Sequence, residues 1–137
     1  MNMTSPFSTV LHQALLQPTR GVVGVVDDLL AACQEQGLRL DWQTGLCRVR
    51  CLSDNPEGAI DVPLRKSVFR AMLARVAVLC NERCPNSVSP YGGEGELSAG
   101  PNPGTILRAT FVNTPDEQRL ELVPHGRGSA ANGAACG

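Results

Sequence analysis

The sequence predicts a two-layer α+β domain, an antiparallel sheet of about six strands covered by two main helices. Two segments repeat apolar residues at three- and four-residue steps, which is helical spacing. Between and after them, apolar and polar residues alternate in short runs separated by turns of a few residues. Strands joined by such short turns must be antiparallel, because a parallel pair needs a long crossover. One face of that sheet must be covered, and the two amphipathic helices are available to cover it.

The elements follow in order. Ser5 to Gln17 is compatible with a short leading helix, with Phe7, Val10, Leu11, Ala14 and Leu15 near one side and Pro18 as its stop. Val22, Val25, Val26, Leu29, Leu30 and Cys33 define a better helix, closed by Gly37. The period then becomes two: Leu38, Leu40 and Trp42 alternate with Arg39, Asp41 and Gln43. Thr44-Gly45 reads as a hairpin tip, Leu46 to Leu52 as the partner strand and Ala59 to Val62 as a third strand. Pro63 suits the first turn of the next helix, where a missing N–H costs nothing. Val68, Phe69, Met72, Leu73, Val76, Leu79 and Cys80 then share an arc of roughly 140°, opposite Arg70, Ala74, Ala77 and Asn81. That helix should end near Arg83. Glu94 to Ala99, Thr105 to Asn113 and Gln118 to Val123 complete the strands. The expected organisation is an N-terminal segment 1–20, a domain over 21–124 and a disordered tail 125–137, poor in residues to bury.

Length and composition narrow the function. At 137 residues one domain is expected. A formal net charge of −1 supplies no field toward nucleic acid or an anionic membrane. Val22 to Leu30 is the longest apolar run and Asp27 and Asp28 interrupt it, so no membrane insertion is expected. Met1 to Leu16 has neither a basic start nor a small-residue cleavage site, and the expected location is cytoplasmic, with reduced thiols. Eleven arginines accompany one lysine, Lys66. Arg65 stands before Lys66-Ser67 where a phosphate-binding P-loop requires glycine, which excludes that class of nucleotide hydrolase.

Candidate chemical groups are few. His12 and His125 lie near the chain ends without a glutamate at metalloprotease spacing. Asp27 and Asp28 are adjacent on a helix, so their side chains diverge and read as a solvated face. Gly92-Gly93-x-Gly95 lacks the third glycine of a dinucleotide fingerprint and reads as a turn. Cys47, Cys51, Cys80 and Cys84 have the number and type for a four-cysteine zinc site. Their placement inside regular elements favours small apolar filler instead, and neither metal nor other cofactor is expected. Cys136 lies in the loose tail. Arg48 and Arg50 share one side of the second strand, Arg65, Arg70 and Arg75 the long helix, and Arg108 and Arg119 the last two strands. They could converge on a phosphate or carboxylate, though solvent exposure with local ion pairing is the favoured reading from spacing.

The order of motifs resembles a known domain. Gly21 to Gly37, followed by Leu38-Arg-Leu-Asp-Trp42, is similar to the start of the second N-terminal, PAS-like domain of type II secretion and type IV pilus assembly ATPases. Val49-Arg50-Cys51-Leu52-Ser53-Asp54-Asn55 resembles that family's Val-Arg-x-Arg-x-Asp-Gly, and Val62-Pro63 its Leu-Pro before a helix. Ala74-Arg75-Val76 resembles its Ser-Arg-Ile, and Pro90-Tyr91-Gly92-Gly93 its Pro-Gln-Asp-Gly. Leu107-Arg108-Ala109-Thr110 is similar to Leu-Arg-Val-Ser, and Gln118-Arg119 to a Glu-Arg pair. The likeness covers about residues 20 to 124 and implies a PAS-like fold in a bacterial, non-catalytic adaptor that contacts a protein partner, a RecA-like ATPase. It also implies that Arg50, Arg75, Arg108 and Arg119 face that partner or a phosphate. Leu52 stands for the motif's second arginine, Glu94 for a basic residue, and the first strand lacks the family's histidine. The expectation is an adaptor without its motor, able to form a homo-oligomer. A small-ligand sensor or a secretion-chaperone-like dimer is the alternative; an enzyme is not expected, since no nucleophile–base pair emerges.

Overall fold

The computed structural model describes residues 21–32, 37–52, 59–98 and 105–127, the last three as backbone with their strand. Helix α1 (Gly21–Ala32) precedes β1 (Leu38–Gln43), β2 (Leu46–Cys51) and β3 (Ile60–Pro63). Helix α2 (Lys66–Arg83) leads to β4 (Gly92–Ser98), β5 (Thr105–Asn113) and β6 (Gln118–Arg127). All six strands join one antiparallel sheet in the order β3-β2-β1-β6-β5-β4. The two-layer α+β fold and the element order are those the periodicity predicts. The leading helix over Ser5–Gln17 and the Cys136 tail lie outside the described residues.

Alternation sorts the sheet into two faces. Leu38 and Leu40, Cys47 and Val49, Val62, Leu97, Leu107, Ala109, Phe111, Leu120 and Leu122 point toward the helices and are buried. They share one core with Val25, Val26, Leu29 and Leu30 of α1 and with Phe69, Met72, Leu73, Val76 and Cys80 of α2. The other face carries no described helix. This open face presents the residues between, mostly charged.

The Thr44-Gly45 tip forms as expected, with φ of 46° and 86° at its two residues. Both angles are positive, the condition for the primed two-residue turn that matches strand twist, and glycine meets it at no steric cost. Gly95 serves a different end. A Cβ there would sit 3.0 Å from Val88 and 3.3 Å from Cys80, so its absence lets β4 lie close beneath α2.

Four expectations require correction. Pro63 is the last residue of β3, opposite Leu46, rather than the first turn of α2. β3 is an edge strand, where a residue without an N–H removes no essential ladder bond. Ala77 is buried, 5% exposed, because α2 packs against α1 as well as against the sheet. β6 runs on to Arg127, with Thr105 opposite Arg127 and Ile106 opposite Gly126, so 125–127 belong to the sheet and not to a disordered tail.

The fourth concerns Arg70, which is not free on the outer side. Its Nε donates to Asn113 Oδ1 at 2.8 Å, and Asn113 Nδ2 donates back to the Arg70 carbonyl at 3.3 Å. Asn113 is 6% exposed, and this exchange satisfies a polar group that burial would otherwise penalise. Asn113→Ala should therefore cost about 1–3 kcal/mol of unfolding free energy in a urea titration. A loss no larger than that of an exposed alanine variant would contradict the role given to this pair.

Local bonds set the ends of α2. Arg65 caps it without a side-chain bond. The Trp42 indole N–H instead donates to the Leu64 carbonyl at 2.7 Å. Lys66 Nζ lies 5.6 Å above the Trp42 ring and donates to the Pro115 carbonyl at 3.0 Å. At the other end, Asn81 Oδ1 accepts from the Ser87 and Val88 amides at 2.8 and 3.1 Å, shaping the turn into β4.

Candidate functional site

Register places the open-face side chains in rows that cross the strands. In the first row Asp61, Arg48, Asp41 and Arg119 stand opposite one another on β3, β2, β1 and β6, alternating in sign. In the second, Arg50, Arg39, Glu121, Thr110 and Glu94 run from β2 to β4. In the third, Val123, Arg108 and Glu96 occupy β6, β5 and β4. Period-two alternation produces this arrangement: once Leu38, Val49 and Leu120 turn inward, their neighbours must turn out.

Ion pairs lace the rows. Arg48 meets Asp61 with two bonds, Nε to Oδ1 at 2.9 Å and a terminal nitrogen to Oδ2 at 3.2 Å. That pairing lowers the Asp61 carboxyl below its ordinary value and raises the Arg48 guanidinium. Arg39 Nε donates to Asp41 Oδ2 at 3.1 Å. Arg119 Nε lies 2.8 Å from Glu117 as an ion pair out of line for a hydrogen bond, and Arg108 lies 3.4 Å from Glu94. Exposed pairs of this kind contribute little stability, about 0–1 kcal/mol each. Their consequence is a patterned surface.

A concavity of about 540 Å³ opens here. Four arginines (Arg39, Arg48, Arg50, Arg119) and four acids (Asp41, Asp61, Asp116, Glu117) line it, with Trp42 and Leu46 among its other residues. The formal charges cancel.

Three of the four arginines singled out from the sequence, Arg50, Arg108 and Arg119, stand on this one face. Arg75 does not join them: it is half-buried on α2, in the other layer, with its Nε enclosed and without a hydrogen-bond partner among the described residues. Arg39 and Asp41 were missed as site residues, although the alternation that turned Arg48 and Arg50 outward applies equally to them.

The four cysteines do not come together in one site. Cys47 is buried on β2, whereas Cys80 lies on α2 against Gly95 of β4. Three strands separate β2 from β4, roughly 19 Å at about 4.8 Å per strand step, whereas zinc–sulfur bonds are about 2.3 Å. Among the described residues no group of three or more His, Cys, Asp or Glu could hold a metal ion. Burial, and then the charges of Asp41 and Asp61, push the Cys47 thiol from 9.0 up to about 12; burial pushes Cys80 up to about 11. Both stay protonated at neutral pH, the unreactive form.

Two results should follow. Iodoacetamide at pH 8 should alkylate the half-buried Cys51 and Cys84 well before Cys47 and Cys80, read by peptide mass spectrometry. The folded thiol pKa is raised, so its contribution to stability is full below the unfolded value and falls as pH climbs between about 9 and 12. The melting temperature should drop across that window, and a Cys47→Ala variant should drop less.

Comparison of the chain with protein-family models and with curated proteins finds no match. No described helix is long and apolar enough to cross a membrane.

Proposed function

We propose that this chain is a non-catalytic adaptor domain that docks a protein partner on the open face of its sheet. The observation that carries the reading is the gathering of Arg50, Arg108 and Arg119 on one exposed surface with no described helix over it. The balance of four arginines against four acids in the concavity suits the mixed charges of a protein surface. A nucleic acid would call for uncompensated positive charge. The resemblance to the PAS-like domain of secretion and pilus ATPases supplies the partner class, a cytoplasmic RecA-like ATPase.

The sensor alternative calls for an apolar chamber, and eight of the thirteen residues lining this concavity are charged. The adaptor reading is therefore preferred. Chemical cross-linking of the purified chain with the secretion and pilus ATPases of its host tests it. A specific cross-linked complex is the expected result. No association, together with normal secretion in a deletion strain, overturns the proposal.

A further inference from the structure

The second row of the open face contains a pairing that does not stabilise the fold. Arg39 and Arg50 are direct cross-strand partners, both on the open face. Directly opposite residues have Cβ atoms about 5 Å apart, and like charges so placed are destabilising. Arg39 is offset by Asp41, its hydrogen-bond partner, and by Glu121 opposite it on the other side. Arg50 has no ion pair or side-chain hydrogen bond among the described residues. On its far side the β2–β3 register, continued one step beyond Val49 opposite Ile60, reaches Ala59, which is uncharged. Every other arginine of the concavity has an acid within 3.1 Å. One guanidinium is thus held beside another, without an acid partner among the described residues, and lines a concavity able to admit a side chain.

We propose that the Arg39–Arg50 pair is the anchor for an acidic side chain, an aspartate or glutamate, of the docked protein. A carboxylate set against these two guanidiniums accepts charge-assisted hydrogen bonds from the free donors of Arg50 and removes the repulsion between the two cations. Arg48 already holds Asp61 with two hydrogen bonds, so an incoming carboxylate gains at Arg50 what it would not gain there. This inference rests on the docking reading and names the chemistry that the partner must bring.

A random peptide library displayed on phage, panned against the purified full chain and its Arg50→Glu and Arg65→Glu variants, tests it. Arg65 is exposed and does not line the concavity, and serves as the control. Wild type should enrich peptides rich in aspartate or glutamate. A synthetic copy of the leading peptide, followed by the fluorescence of Trp42, should bind Arg50→Glu at least about tenfold more weakly and Arg65→Glu within about twofold of wild type. Inorganic phosphate should displace it no better than chloride at equal ionic strength. Failure to enrich acidic peptides, equal behaviour of the two variants, or specific displacement by phosphate would overturn the anchor. If an ATPase cross-links equally to wild type and Arg50→Glu, docking stands and the anchor fails. If acidic peptides bind through Arg50 but no ATPase associates, the anchor stands and the proposed partner fails.

Discussion

Reversing the charge of Arg50 and Arg119 together, as Arg50→Glu with Arg119→Glu, should weaken partner association about a hundredfold or more while leaving the fold intact. Both residues line the concavity of the open face, and neither belongs to the core. Each reversal removes a cation and adds a repulsive anion, and close interfacial charge pairs commonly couple by more than 1.5 kcal/mol. Stability should change by only about 1 kcal/mol, because the ion pair lost with Arg119 is exposed and Arg50 has none to lose among the described residues. The measurement is a binding titration of the cross-linking partner against wild type and variant, beside a urea titration of each. Binding within about threefold of wild type would move the docking surface off this face.

Phe69→Ala should produce the largest loss of stability, about 3–5 kcal/mol. Phe69 is fully buried, the fourth residue of α2, and belongs to the core shared by both helices and the sheet. Truncation removes the transfer free energy of the ring and leaves a cavity that close-packed neighbours fill only in part. A domain of this size has about 5–15 kcal/mol in total, so the variant should approach the edge of folding. Val78→Ala, on the same helix but 47% exposed, should stay within about 0.5 kcal/mol. Urea unfolding of the two variants separates them, and a loss below about 1 kcal/mol for Phe69→Ala would contradict the packing described.

The helices and strands were legible because period decides them locally. The run Leu38 to Gln43 alternates, and no helical arrangement would gather its apolar residues; Val68 to Cys80 repeats at three and four, and no strand would gather its own. The open face was half legible for the same reason. Alternation turns Arg48, Arg50, Arg108 and Arg119 outward, and the Thr44-Gly45 tip sets Arg39 against Arg50, but sequence spacing is silent on how β1 and β6 become neighbours. Only the order β3-β2-β1-β6-β5-β4 brings Arg119 beside Asp41 and carries Cys47 and Cys80 toward opposite ends of the sheet. Arg75, alike in sequence terms, is in the other layer.

The single lysine shows the same division. Sequence alone determined that Lys66 could not be a P-loop lysine, since the residue before it must be glycine and is Arg65. Tertiary structure decided what it does: it lies over Trp42 and bonds the turn between β5 and β6, tying three separate elements at the start of α2. Exclusion needed only neighbouring residues along the chain. The role depended on Trp42 and Pro115, 24 residues before and 49 after, which only the assembled sheet brings within reach.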